Sequence, residues 1–129
     1  MSNSVAETFV IPTSYPVAIP GPFEGSKRLL DSHLEWQATE TPGFWLKCLY
    51  EDRELGEKTM LMKVDPGCYA GLHAHEGEFE QIFVLEGSFY DQDATMKAGD
   101  YCCRAPGALH DSGSVDGAVV LVIYTKRPA

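Results

Sequence analysis

What most narrows the fold open to this chain is a series of short apolar runs, cut by glycine and proline, that fills residues 44–125. FWLKCLY (44–50) and KTMLMKVD (58–65) alternate apolar with polar residues, and EDRELGE between them reads as a hairpin connection. EQIFVLEG (80–87), SFYD (88–91), DYCCR (100–104) and AVVLVIYT (118–125) are further strand candidates. Turn residues punctuate them at Pro66-Gly67, Gly77, Gly87, Gly99, Pro106-Gly107 and Asp116-Gly117. No helical periodicity is present to cover a parallel sheet, so the pattern predicts an all-β sandwich or barrel. The one helical turn expected is short, around Lys27 to His33.

A chain of 129 residues with 44% hydrophobic content suits one compact domain. Pro12, Pro16, Pro20 and Pro22 lie in its helix-poor beginning. They predict an extended arm over residues 1–32, lying on the domain or on a neighbouring subunit, ahead of a domain over 33–129. No run approaches the ~20 apolar residues that cross a bilayer, and the N-terminus has no basic patch followed by an apolar stretch. The expectation is a soluble, cytoplasmic protein. A formal net charge of −9 repels phosphate backbones and anionic membranes, which argues against nucleic-acid and membrane partners. Cys48, Cys68, Cys102 and Cys103 form no CxxC pair, so they read as packed or incidental thiols rather than a zinc finger or a disulfide framework. Cys102 and Cys103 are adjacent, which on a strand places them on opposite faces.

Chemistry concentrates in the histidines. In His73-Ala74-His75 the two imidazoles are two residues apart, which on a strand puts them on one face with Cα atoms ~7 Å apart, close enough to share an ion. Alone, such a pair also fits a polar strand face. The surroundings are more specific. Five residues separate Gly67 from His73, four separate His75 from Glu80, and six separate Glu80 from Gly87. Farther on, Gly99, Gly107 and His110 are spaced by seven and two residues. His33 stands apart, before the strand region, and reads as a surface or packed histidine.

The first spacing, Gly67-x5-His73-x-His75-x4-Glu80-x6-Gly87, resembles the first cupin motif at each fixed position, and Gly99-x7-Gly107-x2-His110 is similar to the second. The second motif departs in one respect: Ala105 stands where proline is usual, and Pro106 takes the variable place. Trp36, Pro42-Gly43, Lys47, Leu49, Thr59, Leu61, VLEGSFYD (84–91), AGDY (98–101) and the segment from Arg104 to His110 extend the likeness to the ChrR-like, anti-sigma-type cupins over about residues 33–126. That resemblance implies a double-stranded β-helix, the RmlC-like jelly roll. It also implies one divalent metal ion on His73, His75, Glu80 and His110. The family's full-length regulators carry a zinc-binding helical domain, and the residues before 33 lack its Cys/His cluster, so a stand-alone cupin is expected.

Glu80 is selected by its distance to Gly87, although Glu78 shares its strand parity. Were both to face outward, the centre would hold three histidines alone; Glu76 and Glu78 otherwise read as solvated loop. Three imidazoles and a carboxylate leave two positions open on an octahedral ion, unlike the closed, thiolate-rich structural zinc sites. Fe(II) is the favoured ion, and Zn, Mn, Ni and Co also suit such donors. Tyr101 and Arg104 precede the His110 turn and are candidate substrate contacts; three apart on a regular strand, at most one of them faces inward. Met60 and Met62 share a face and read as core packing. With Glu80 inward, Phe83 and Leu85 point outward and need cover, which a homodimer would supply.

Two functions follow. One is a mononuclear non-haem Fe(II) dioxygenase acting on a small enolisable carbonyl compound such as a β-diketone, as in similar cupins. The other is a non-catalytic metal or small-ligand sensor, similar to the cupin half of the anti-sigma regulators.

Overall fold

The computed structural model describes residues 18–127. Ten strands carry almost all of its regular structure: β1 (Ile19–Pro20), β2 (Gln37–Ala38), β3 (Phe44–Asp52), β4 (Glu57–Val64), β5 (Tyr69–His73), β6 (Glu78–Tyr90), β7 (Thr95–Lys97), β8 (Tyr101–Arg104), β9 (His110–Gly113) and β10 (Ala118–Lys126). They are hydrogen-bonded in the order β1-β3-β4-β10-β6-β9-β5, with β2 on β3, and β7 and β8 on β6. Apart from β1, which lies parallel to β3, the pairings are antiparallel. The protein is all-β, as the alternating runs require.

Alternation builds the core. Along β10, Ala118, Val120, Val122 and Tyr124 are buried while the residues between them are half-buried. Cross-strand register sets Val122 beside Met60 and Ile82, and Val120 beside Met62 and Val84. Leu46 and Cys48 on β3 continue these rows beside Met62 and Met60. Burying each such aliphatic side chain stabilises the fold by about 1.5–3 kcal/mol. Both methionines therefore sit in the core, as their shared parity suggests.

The hairpin expected at EDRELGE is present. The Leu55 amide donates to Asp52 Oδ1 at 2.9 Å, and Gly56 takes the left-handed conformation (φ +68°) that closes the turn. By contrast, the two strands expected at 80–87 and 88–91 are one, β6. Gly87 (φ +74°) does not end it but lets it pass from one sheet to the other: up to Gly87 the strand pairs with β10, and from Ser88 with β7. A Cβ at Gly87 would overlap the Gly117 carbonyl, so the close crossing itself demands glycine.

The helical turn expected over Lys27 to His33 shrinks to one 3-10 turn, Asp31–His33, which has no buried residue to hold a longer helix. Of the expected arm, residues 1–17 lie outside the described part. From Ala18 the chain lays β1 against Tyr50 and Glu51. Strands β5, β7 and β9 lacked a sequence signal: β5 contains Gly71, β7 is three residues long, and β9 reads HDSG. No helix of the described residues is long and apolar enough to cross a membrane.

Candidate metal centre

His73 closes β5 and His110 opens β9, and antiparallel register places these two residues directly opposite each other. His75 follows in the turn after β5, where its carbonyl accepts the Gly107 amide at 3.0 Å, tying this turn to the segment before β9. The result is three buried imidazoles, each with one ring nitrogen within 4.8 Å of one from each of the others. The HxH pair thus converges although the strand ends at His73, because the turn carries His75 back over the same cavity.

Two contacts orient the rings. His73 Nδ1 lies 2.7 Å from the Gly71 carbonyl and His110 Nδ1 lies 3.0 Å from that of Ala108. A carbonyl only accepts, so each Nδ1 is assigned the proton and each Nε2 keeps a lone pair for an ion. Burial pushes the pKa values of His75 and His110 down from 6.5 to about 4, aided by the Arg104 cation nearby, and Glu80 offsets part of the shift at His110. Both are neutral at pH 7, the form that binds metals. The void among the side chains, about 20 Å3, is large enough for one ion or water molecule. The donor set therefore fits a metal ion.

Glu80 faces the same cavity, with carboxylate oxygens 3.8 Å from His75 Nε2 and 3.7 Å from His110 Nε2. It is held from both sides by its cross-strand neighbours, Arg104 on β8 and Tyr124 on β10. Arg104 Nε donates to Glu80 Oε1 at 3.1 Å, and the Tyr124 hydroxyl donates to Glu80 Oε2 at 2.7 Å. Complete burial, then the Glu80 charge, push the Tyr124 pKa well above its ordinary value, so the hydroxyl stays a donor. Each carboxylate oxygen keeps a further lone pair. Glu78, of equal parity, does not line the cavity; it lies opposite Lys126, and burial raises its pKa.

Arg104 and Tyr101 separate as their spacing requires. Arg104 is buried and lines the cavity, and its Nη1 donates to Asp91 Oδ2 at 2.8 Å. Burial works against the Asp91 charge, but this bond and the amides of Asp93 and Ala94 hold its pKa below the usual range. Tyr101, the other candidate substrate contact, is on the outer face, 52% exposed, donating to Gln81 Oε1 at 2.7 Å; odd parity turns it away from the cavity, which it does not line. Phe83 and Leu85 are exposed on that face too, and Cys103 is exposed while Cys102 packs against the core. His33 lies in the 3-10 turn and does not line the cavity. Ser114 is buried and donates to the Ser88 carbonyl, tying the segment after β9 to β6. Sequence reasoning missed Tyr124 and Asp91. Residues 118–124 are apolar at every position, so the sequence did not mark the face on which Tyr124 lies, and no signal singled out Asp91.

Two sheets sharing one long strand around a histidine cluster define a cupin. The chain belongs to the ChrR Cupin-like domain family, which it matches over residues 27–128. An oxalate-binding protein of Thermotoga maritima is 44% identical over 69 residues, 48% of this chain and 57% of that protein, so the match spans little more than half of the curated relative. An RmlC-like cupin from Ralstonia eutropha superposes with a TM-score of 0.70 at 19% identity, covering 79% of this chain and 69% of the other. An acetylacetone dioxygenase from Acinetobacter johnsonii superposes with a TM-score of 0.67 at 18% identity, covering 81% and 76%.

The same neutral histidines set a pH dependence in the metal-free protein. In the unfolded chain they titrate near 6.5 and in the fold near 4, so the unfolded state binds more protons between these values. Stability is full above pH 6.5 and falls as the pH drops toward 4, by up to about 3 kcal/mol per imidazole. Urea unfolding of metal-free protein is expected to show a clearly lower midpoint at pH 4.5 than at pH 7. An unchanged midpoint would mean that the rings are solvated.

Proposed function

We propose that this protein is a mononuclear metal-dependent oxygenase acting on a small enolisable carbonyl compound of the β-diketone type, with Fe(II) held by His73, His75, Glu80 and His110. The observation that supports this reading best is the buried three-imidazole cluster, oriented by backbone carbonyls and flanked by a hydrogen-bonded carboxylate. None of the four cysteines belongs to the cluster, which separates it from thiolate-rich structural zinc sites. When bound, the ion supplies Lewis acidity and, as iron, an electron source for dioxygen.

The chain's own groups do the remaining work. His73 and His110 present Nε2 through their Nδ1 contacts, while Arg104 and Tyr124 hold Glu80 against the imidazoles. Phe44, Met62, Ile82, Phe89 and Val122 wall the cavity and limit water. The names of two similar proteins point to related ligands: oxalate and the enol of acetylacetone each present two oxygens to one ion.

Protein loaded anaerobically with Fe(II) is expected to hold one iron per chain and to consume oxygen on addition of a β-diketone or hydroxyaryl ketone. An iron-loaded protein that binds these compounds but takes up no oxygen would replace the enzyme with the sensor reading. A protein that retains no metal would overturn both.

A further inference from the structure

We infer that the turn joining β6 to β7 is the outer brace of the metal centre: through Asp91 and Gln92 it fixes the relative positions of two ligands on different strands, Glu80 and His110. This deepens the metal-centre reading above and rests on it. Asp91 and Gln92 are positioning residues, since neither lines the cavity.

Gln92 acts on His110. Strand β6 ends at Tyr90, which pairs with Gly113, the last residue of β9. Past that pair the main chain turns off toward β7, and the Gln92 side chain takes over. Its Nε2 donates to the Leu109 carbonyl at 3.2 Å, and its Oε1 accepts the Asp111 amide at 3.1 Å. Main-chain groups so spaced leave a strand on one edge, and a side-chain amide offers them the donor and acceptor of a peptide. Gln92 therefore extends the ladder by one rung, and that rung spans His110. The Ala108 carbonyl that orients the His110 ring belongs to the same short segment. From β5, the Tyr69 hydroxyl donates to Asp111 Oδ2 at 2.8 Å, so the backbone beside His110 is tied on two sides.

Asp91 acts on Glu80. Its main-chain amide donates to the Ala94 carbonyl at 2.9 Å, and its Oδ1 accepts the amides of Asp93 and Ala94 at 2.8 and 2.9 Å. The carboxylate is thus fixed within the turn. Its Oδ2 accepts Arg104 Nη1 at 2.8 Å, and Arg104 Nε donates to Glu80 Oε1 at 3.1 Å. A guanidinium is a planar, stiff fork, so the place of Asp91 is passed on to that oxygen. Glu80 Oε1 is also the oxygen that lies 3.7 Å from His110 Nε2. Two adjacent turn residues therefore hold the two sides of this one gap.

The test uses full-length protein loaded with Co(II), whose visible bands report coordination geometry. Outer hydrogen-bond partners are worth about 10–100-fold in metal affinity. Gln92 is exposed, so Gln92→Ala is expected to leave the melting of the metal-free protein close to that of the wild type. It should nonetheless weaken Co(II) binding about tenfold and shift the visible bands. Gln92→Glu keeps the acceptor for the Asp111 amide and loses the donor, and is expected to fall between the two. Asp91→Asn, checked for folding by circular dichroism, should also weaken binding about tenfold or more and shift the bands; should it not fold, Gln92→Ala decides alone. A folded Gln92→Ala with wild-type affinity and spectrum, or one that loses affinity only as its melting falls and with the bands unmoved, overturns the inference and leaves the metal reading standing. If the wild type binds no Co(II), the metal reading fails and this inference fails with it.

Discussion

His73→Ala is expected to abolish stoichiometric metal binding. His73 stands opposite His110 across the β5–β9 pair, and its ring is the nearest to that of His110, with centroids 4.3 Å apart. Removing it leaves two imidazoles and Glu80, whose carboxylate is already shared with Arg104 and Tyr124. Loss of an outer hydrogen-bond partner alone weakens metal sites about 10–100-fold, so loss of a ligand should exceed about 100-fold. Elemental analysis of protein purified without chelator, with a competition titration, measures the effect. The barrel should survive, because the core rows of β3, β4, β6 and β10 lie outside this position. Undiminished metal content in a folded variant would remove His73 from the ligand set.

The second large effect concerns the fold. Arg104→Met is expected to destabilise the protein by about 3–5 kcal/mol, the cost of leaving a buried charge without its partner. Two carboxylates lose their cation at once: the Glu80 and Asp91 side chains are 6% and 7% exposed. The Asp91 pKa should rise toward its ordinary value, since burial then acts without the guanidinium against it. Urea unfolding at pH 7 gives the change directly. Pairing Arg104→Met with Glu80→Gln should recover part of the loss, and the non-additive remainder measures the coupling across the β6–β8 pair. A loss below about 1 kcal/mol would mean that water reaches these charges.

Legibility varied with how local each feature is. The β3–β4 hairpin and β10 could be read directly, the hairpin from alternation on either side of a turn and β10 from a continuous apolar run, since each extends over eight or nine residues. The strands expected at 80–87 and 88–91 are one because Gly87, which looks like a turn residue, serves a crossing; its partner there, Gly117, is thirty positions away in the chain. For the site, the HxH spacing and the second motif brought His73, His75 and His110 together on paper as they are in space. The choice of Glu80 over Glu78 for the cavity followed from motif spacing, but parity could not settle it.

The sequence by itself determined the all-β class, the alternating core and the three histidines, because each rests on contacts within one strand or on fixed motif spacing. Only the tertiary structure decided which of Arg104 and Tyr101 turns inward, and that Tyr124 and Asp91 complete the network. A four-residue strand such as β8 has no alternation long enough to declare its buried face; the register it takes on β6 does so. That register joins Arg104 to Glu80, 24 residues away, and to Asp91, 13 away, while the register of β10 on β6 joins Tyr124 to Glu80, 44 away. These are charge and hydrogen-bond pairings across strands, and they come into being only when the sheet closes around the cavity.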